Sequence, residues 1–124
     1  MPRNSPLTDK EIIRYARGIP YFRGVFMKDT LPMRPWTRES GIVNLDLNSG
    51  PGTHWVAYKK IGNNAVYFDS FGNLRPPLEL EKYLQKCTIY YNHHKFQDFD
   101  TTNCGQLCLE FLYNQPNELL LKTL

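Results

Sequence analysis

Apolar and polar positions along this 124-residue chain alternate between two periods, near 3.6 and near 2, and the switches between them predict its elements. Thr8-Asp9-Lys10-Glu11 has the form of a capping box, opening a short helix to about Arg17 with Ile12, Ile13 and Ala16 turned inward and Gly18 past its end. The stretch from Met27 to Glu39 carries Pro32 and Pro35, which withhold backbone donors, and is expected to be irregular. Runs rich in β-branched and aromatic residues predict strands at 41–47, 54–60 and 64–69, with Gly62-Asn63-Asn64 turning the last two into a hairpin. Pro76 and Pro77 open a helix through Gln85, since proline is tolerated in a first turn, and Thr88-Ile89-Tyr90-Tyr91 is again β-rich. After Cys104, residues Leu107, Cys108, Phe111 and Leu112 fall on one helical face. The expectation is one α+β domain over residues 1–124, a mostly antiparallel sheet with the Cys104 helix packed on it. The polar, Pro-containing opening from Met1 to Pro6 is expected to be a loose leader.

The candidate chemistry centres on that last helix. A thiol attacks a carbonyl as thiolate, so a nucleophilic cysteine needs a helix N-terminus or a neighbouring imidazolium to lower its pKa. Asp100, Thr101, Thr102 and Asn103 are good N-cap types and put Cys104 in the first turn, at the positive end of the helix dipole. Gly105 would let backbone approach the nucleophile, as a bound substrate requires. The plainer reading of a cysteine on an apolar helix face is packing, and it suits Cys108, whose burial would raise its pKa. His54 follows the Gly50-Pro51-Gly52-Thr53 loop at the start of a strand and is the candidate base. Asp69 ends the next strand, where a neighbouring carboxylate would fix the imidazole tautomer and stabilise the imidazolium. Trp55 is expected to shield that pair, or simply to be core. Gln97, seven residues before Cys104, can donate an amide hydrogen bond to an oxyanion beside the Cys104 N–H.

Composition narrows the setting. The length suits one core, and three cysteines with no apolar run near 18 residues favour a soluble intracellular protein with reduced thiols. The net charge of +3 is modest, and Arg14, Arg17, Arg23, Lys28, Arg34 and Arg38 concentrate it in the first third. A solvated mixed surface is the plainer reading of that distribution.

The order His54, Asp69, Gln97, Cys104 runs opposite to the papain order, in which the cysteine comes first. In that order, and in its blocks, the chain resembles the adenovirus-type protease (adenain) family, in the clan that includes SUMO-specific and deubiquitinating proteases. Thr53-His54-Trp55, Tyr67-Phe68-Asp69-Ser70-Phe71-Gly72 and Asn103-Cys104-Gly105 are similar to its three catalytic blocks. Gly18-Ile19-Pro20-Tyr21-Phe22-Arg23-Gly24-Val25-Phe26 is similar to its N-terminal segment, and Ser40-Gly41-Ile42-Val43-Asn44 to the strand before the histidine loop. The seven-residue step from Gln97 to Cys104 is the adenoviral spacing; the SUMO-protease branch is one shorter. The aspartate at Asp69 lies closer to the SUMO-protease side, and the chain runs only twenty residues past Cys104, whereas adenoviral relatives continue into further helices.

The resemblance implies a papain-like protease core with Cys104 as nucleophile, His54 as base and then acid, Asp69 orienting His54, and Gln97 as oxyanion donor. It implies an endopeptidase, expected as a monomer with no metal, acting on viral or mobile-element precursor proteins at glycine-containing sites, in a host nucleus or virion. It also implies an activating peptide joined to Cys87 by a disulfide, and non-specific DNA as a cofactor held by the basic first third. A half-buried cysteine at a strand entrance is the other reading of Cys87. Three rivals stand beside the endopeptidase: a SUMO- or ubiquitin-like deconjugating protease, a non-catalytic binder of the same fold, and a zinc module built from His93, His94, Cys104 and Cys108. The last lacks the paired-ligand spacing of structural zinc sites.

Overall fold

A computed structural model describes residues 1, 5–50, 54–97, 101–114 and 121–123. Helix α1 (Asp9–Tyr15) runs into a 3-10 turn (Ala16–Gly18), followed by strands β1 (Phe22–Met27), β2 (Arg38–Asn44), β3 (Trp55–Ile61) and β4 (Asn64–Phe68). Helix α2 (Leu78–Tyr83), strand β5 (Thr88–Asn92), helix α3 (Cys104–Asn114) and strand β6 (Leu121–Thr123) complete the order. The six strands form one sheet whose spatial order is their order in the chain.

Helices cover both faces of that sheet. Ile42, Trp55, Ala57 and Phe68 pack with α1 and α3 residues Ile12, Cys104, Cys108, Phe111 and Leu112. Their strand neighbours Val43, Val56, Tyr58, Ala65 and Tyr67 point the other way, onto Leu80, Tyr83 and Leu84 of α2 and its exit. Successive residues of a strand face opposite sides, so burial on both faces makes Trp55-Val56-Ala57-Tyr58 read as a continuous apolar run.

The capping box forms as expected: Thr8 Oγ1 accepts from the Glu11 N–H at 3.2 Å, and the Thr8 N–H donates to Glu11 Oε1 at 3.0 Å. Ile12 and Ala16 are buried, one turn apart, but Ile13 lies about 100° round the helix and is 49% exposed. Residues 2–4 of the expected leader lie outside the described residues, and the chain is held from Ser5 onward. Gln106 Nε2 donates to the Ser5 carbonyl at 2.6 Å, Trp55 Nε1 donates to the Leu7 carbonyl at 3.0 Å, and Leu7 is core. Buried amide and indole donors need partners, and this segment supplies them.

The sheet is mixed where a mostly antiparallel one was expected. The β2–β3, β3–β4 and β5–β6 pairs are antiparallel, while β1–β2 and β4–β5 are parallel. Helix α2 crosses over between β4 and β5, returning the chain to its starting end, so those strands must run the same way. The α+β class stands. Strand β1 has no counterpart in the sequence reading because its six residues are all half-buried and its register shifts between Phe22 and Gly24, which removes the period-2 signal.

Candidate active site

Strands β3 and β4 pair antiparallel, with Ala57 opposite Phe68, so the residues before β3 and after β4 meet at one end of the hairpin. His54 and Asp69 occupy those positions, and His54 Nε2 lies 2.8 Å from Asp69 Oδ1. The same Oδ1 accepts the Phe71 N–H at 3.0 Å. Asp69 is buried, and its backbone is held by Asn92 at the end of β5: the Asp69 N–H donates to Asn92 Oδ1 at 2.9 Å, and Asn92 Nδ2 donates to the Asp69 carbonyl at 2.7 Å. A side-chain amide thus continues the β4–β5 ladder beyond its last backbone pair, Tyr67 with Tyr91. The Phe71 ring stacks on the imidazole, centroids 4.2 Å apart and planes 5° from parallel. His54 is therefore fixed at its edge by Asp69 and across its face by Phe71.

Helix α3 brings the thiol to this pair. Cys104 is its first residue and is buried against the start of β3, where the Trp55 N–H donates to Cys104 Sγ at 3.4 Å. One turn later, Cys108 donates its S–H to the Trp55 carbonyl at 3.3 Å, so two sulfurs bracket the backbone of one residue. With Nε2 on the carboxylate, Nδ1 is the imidazole nitrogen left for Cys104.

The electrostatics separate the two thiols. Burial alone would lower the His54 pKa, but its hydrogen bonds to Asp69 and to Cys104, backed by both negative charges, raise it to about 9. Burial alone would raise Cys104, but the His54 hydrogen bond, the Trp55 N–H and the imidazolium charge hold it below the usual thiol range. Cys108, without such partners, is pushed well above that range by burial. Cys104 and His54 thus favour a thiolate–imidazolium pair, the form in which a cysteine attacks carbonyls.

Gln97 joins the same end of the sheet through Ser70. The N–H groups of Phe96 and Gln97 donate to the Ser70 carbonyl at 2.8 and 2.9 Å. The Ser70 hydroxyl donates to Gln97 Oε1 in a short hydrogen bond, and Gln97 Nε2 donates to the Thr101 carbonyl at 2.9 Å. Gly72 closes the turn, with φ +79° and its N–H on the Asp69 carbonyl at 2.9 Å; a Cβ there would sit 2.7 Å from the His94 carbonyl oxygen. The segments at 69–72 and 94–97 are interlocked.

All four candidate residues thus come to one region: His54, Asp69 and Cys104 as an interacting set, and Gln97 tied to it through Ser70 and Thr101. Thr53 and Asp100, named in the sequence reading, lie outside the described residues. Gly105 has a packing role that the sequence did not suggest. A Cβ on it would meet Leu7 and Trp55 at 3.3 to 3.4 Å, so its smallness serves the packing of α3 on Leu7 and β3. Trp55 is buried in that contact.

Cys87 lies elsewhere, half-buried just before β5, packed against the cluster beneath α2 on the face of the sheet away from Cys104. Burial raises its pKa, and with Arg34, Trp36, Lys82 and Lys86 it lines a cleft at the end of α2. Much of the basic first third is engaged within the chain. Arg23 pairs with Glu39 at 3.0 Å and stacks on Trp36, Arg38 stacks on Tyr21, Arg14 on Tyr15, and Lys28 pairs with Glu79 at 4.0 Å. The zinc grouping is not assembled: His93 meets Asn73, His94 lies edge-on to Phe96, and among the described residues no three of His, Cys, Asp and Glu are grouped to hold a metal ion. No helix among the described residues is long and apolar enough to cross a membrane.

Sequence reasoning passed over Asn92, Ser70 and the stacking role of Phe71. Asn92 ends a β-rich run where an asparagine reads as an ordinary strand stop. A buried polar side chain at a strand end was the available signal, and only the fold shows its burial. Compared with protein-family models and with curated proteins, the chain shows no match.

Proposed function

We propose that this chain is a cysteine endopeptidase of the adenovirus-type kind, and the observation that carries this reading is the meeting of His54, Asp69 and Cys104 at the start of β3, with His54 Nε2 2.8 Å from Asp69 Oδ1 and the Trp55 N–H on Cys104 Sγ at 3.4 Å. In this reading the Cys104 thiolate adds to the scissile carbonyl. The oxyanion accepts from the Cys104 N–H and from the Gln97 N–H not taken by Thr101. The His54 imidazolium gives its proton to the leaving amine as the thioester forms. Neutral His54 then takes a proton from water, whose oxygen attacks the thioester. The proton returns to Cys104 sulfur or stays on His54, restoring the pair. Asp69 keeps Nε2 protonated throughout and so presents Nδ1 to the reaction.

The substrate of this reading is a protein precursor of a virus or mobile element, with glycine before the cut. Asp69, in place of the glutamate common in adenoviral enzymes, favours a second reading with the same chemistry, deconjugation of a SUMO- or ubiquitin-like tail. An activating peptide joined through Cys87 and a DNA cofactor belong to the first reading alone. Cys87 is a weak thiolate as it stands, so that disulfide would form by attack of the peptide's own thiolate on a Cys87 already held as a mixed disulfide with a small thiol, which leaves as its thiolate.

The test is iodoacetamide alkylation as a function of pH, with each modified cysteine located by peptide mass spectrometry. Cys104 is expected to react fast near pH 6, ahead of Cys87 and Cys108, and His54→Ala to abolish that advantage. Cys104→Ala and His54→Ala are expected to abolish turnover with the fold intact. Wild-type turnover in either variant would remove the reading.

A further inference from the structure

Ser70 has no part in the chemistry described above, yet it is wholly buried between the acid of the site and the ring that stacks on the base. Its carbonyl and its hydroxyl both reach Gln97, the carbonyl holding the Phe96 N–H as well. The carbonyl accepts the backbone N–H of Gln97, and the hydroxyl donates to Gln97 Oε1.

A glutamine amide is nearly symmetric in shape and opposite in chemistry at its two ends. Rotating it by half a turn replaces a donor with an acceptor. An oxyanion needs the nitrogen; the oxygen would repel it. The direction is set here by two neighbours. The Thr101 carbonyl can only accept, so Nε2 must face it, at 2.9 Å. Oε1 then faces Ser70, whose hydroxyl must donate. A hydroxyl by itself would tolerate either end of the amide, and the Thr101 carbonyl by itself would leave the oxygen end unheld. Together they define one orientation, with one N–H of Nε2 used and the other left for the reacting carbonyl.

We propose that Ser70 is a positioning residue for the oxyanion donor, its hydroxyl holding the Gln97 amide oxygen so that the nitrogen stays on the Thr101 side. The dipeptide Asp69-Ser70 then carries both halves of the support: the carboxylate orients the base, and the next side chain orients the oxyanion donor. Asn92 holds that dipeptide in place through the Asp69 backbone. This inference rests on the peptidase reading and adds a residue to it.

The test is a double-mutant cycle of Ser70→Ala and Gln97→Ala on a fluorogenic peptide amide with glycine on the acyl side, alongside Cys104 alkylation at several pH values. Ser70→Ala is expected to lower kcat by roughly 10- to 100-fold, part of what loss of an oxyanion donor costs, with KM nearly unchanged. In the Gln97→Ala background it should cost nothing more. The rate and pH midpoint of Cys104 alkylation should stay at wild-type values, since the thiolate–imidazolium pair does not involve Ser70. Ser70→Cys keeps the volume and a weak donor, is expected to have an intermediate kcat, and serves as the test variant if the alanine form fails to fold. Wild-type kcat in Ser70→Ala, or an equal loss in both Gln97 backgrounds, would overturn the proposal while leaving the peptidase reading intact. A wild-type chain that cleaves no such peptide removes both.

Discussion

His54 and Cys104 are each perturbed against the direction burial would impose, and each owes part of its shift to the other. Their titrations are therefore coupled, and under the proposed peptidase reading the plateau of activity belongs to the pair. The thiolate is lost as pH falls through the lowered thiol pKa, and the imidazolium is lost as pH rises through about 9. The pH profile of kcat/KM is expected to be a broad bell with its alkaline limb near that value. In Cys104→Ala the sulfur's share of the support is gone while Asp69 remains. The His54 midpoint, followed by NMR, is then expected to fall below its wild-type value; an unchanged midpoint would mean the two groups do not interact. The residue types were legible in the sequence, because local context together with the resemblance in order and blocks named four groups that the fold brings to one region. Their supports were not. Ser70 and Asn92 are ordinary polar residues whose roles depend on burial, and burial of a loop residue is set by neighbours far away in the chain.

At the scale of elements, the site lies where β4 ends, β5 ends and α3 begins, and each connection is held by a specific device. Gly72 is the tightest. Its left-handed backbone costs a residue with a Cβ about 1–2 kcal/mol, and the His94 carbonyl occupies the space beside it. Gly72→Ala is expected to destabilise by at least that amount in urea unfolding. Turnover should fall further than stability alone accounts for, because moving residues 94–97 displaces Gln97. Strands β2 to β5 and all three helices were legible from periodicity, capping and proline placement. Strand β1 was not, since an edge strand with every residue half-buried carries no alternation, and neither was β6, whose three residues Leu121–Thr123 are too few to show a period. The parallel pairing of β4 and β5 was legible only in hindsight, through the helix between them.

Across the whole molecule, the face of the sheet opposite the thiol is clasped by one buried carboxylate. Glu39 accepts from Arg23 at 3.0 Å, from the Trp36 N–H and the Tyr58 hydroxyl at 2.5 Å each, and from the Tyr83 hydroxyl at 2.8 Å. It thereby joins β1, β2, β3, α2 and the segment before β2. Removing one member of such a buried set leaves the rest without a counter-charge, so Glu39→Ala is expected to cost about 3–5 kcal/mol in denaturant unfolding. Cys104 alkylation in the folded fraction should be unchanged, because the carboxylate belongs to the other face. A loss below about 1 kcal/mol would show that the clasp is dispensable. The pair of sulfurs on α3 has a consequence at this scale too. Near pH 6 Cys104 owes its fast reaction to the helix being seated on β3, because the partners that lower its pKa belong to the docked state. Cys108 is fully enclosed and held as a thiol, so it can be reached only when the helix lifts. One helix turn therefore carries two internal clocks, one that runs while the helix is docked and one that runs while it is away. The ratio of labelling at the two positions measures how often this protein takes itself apart.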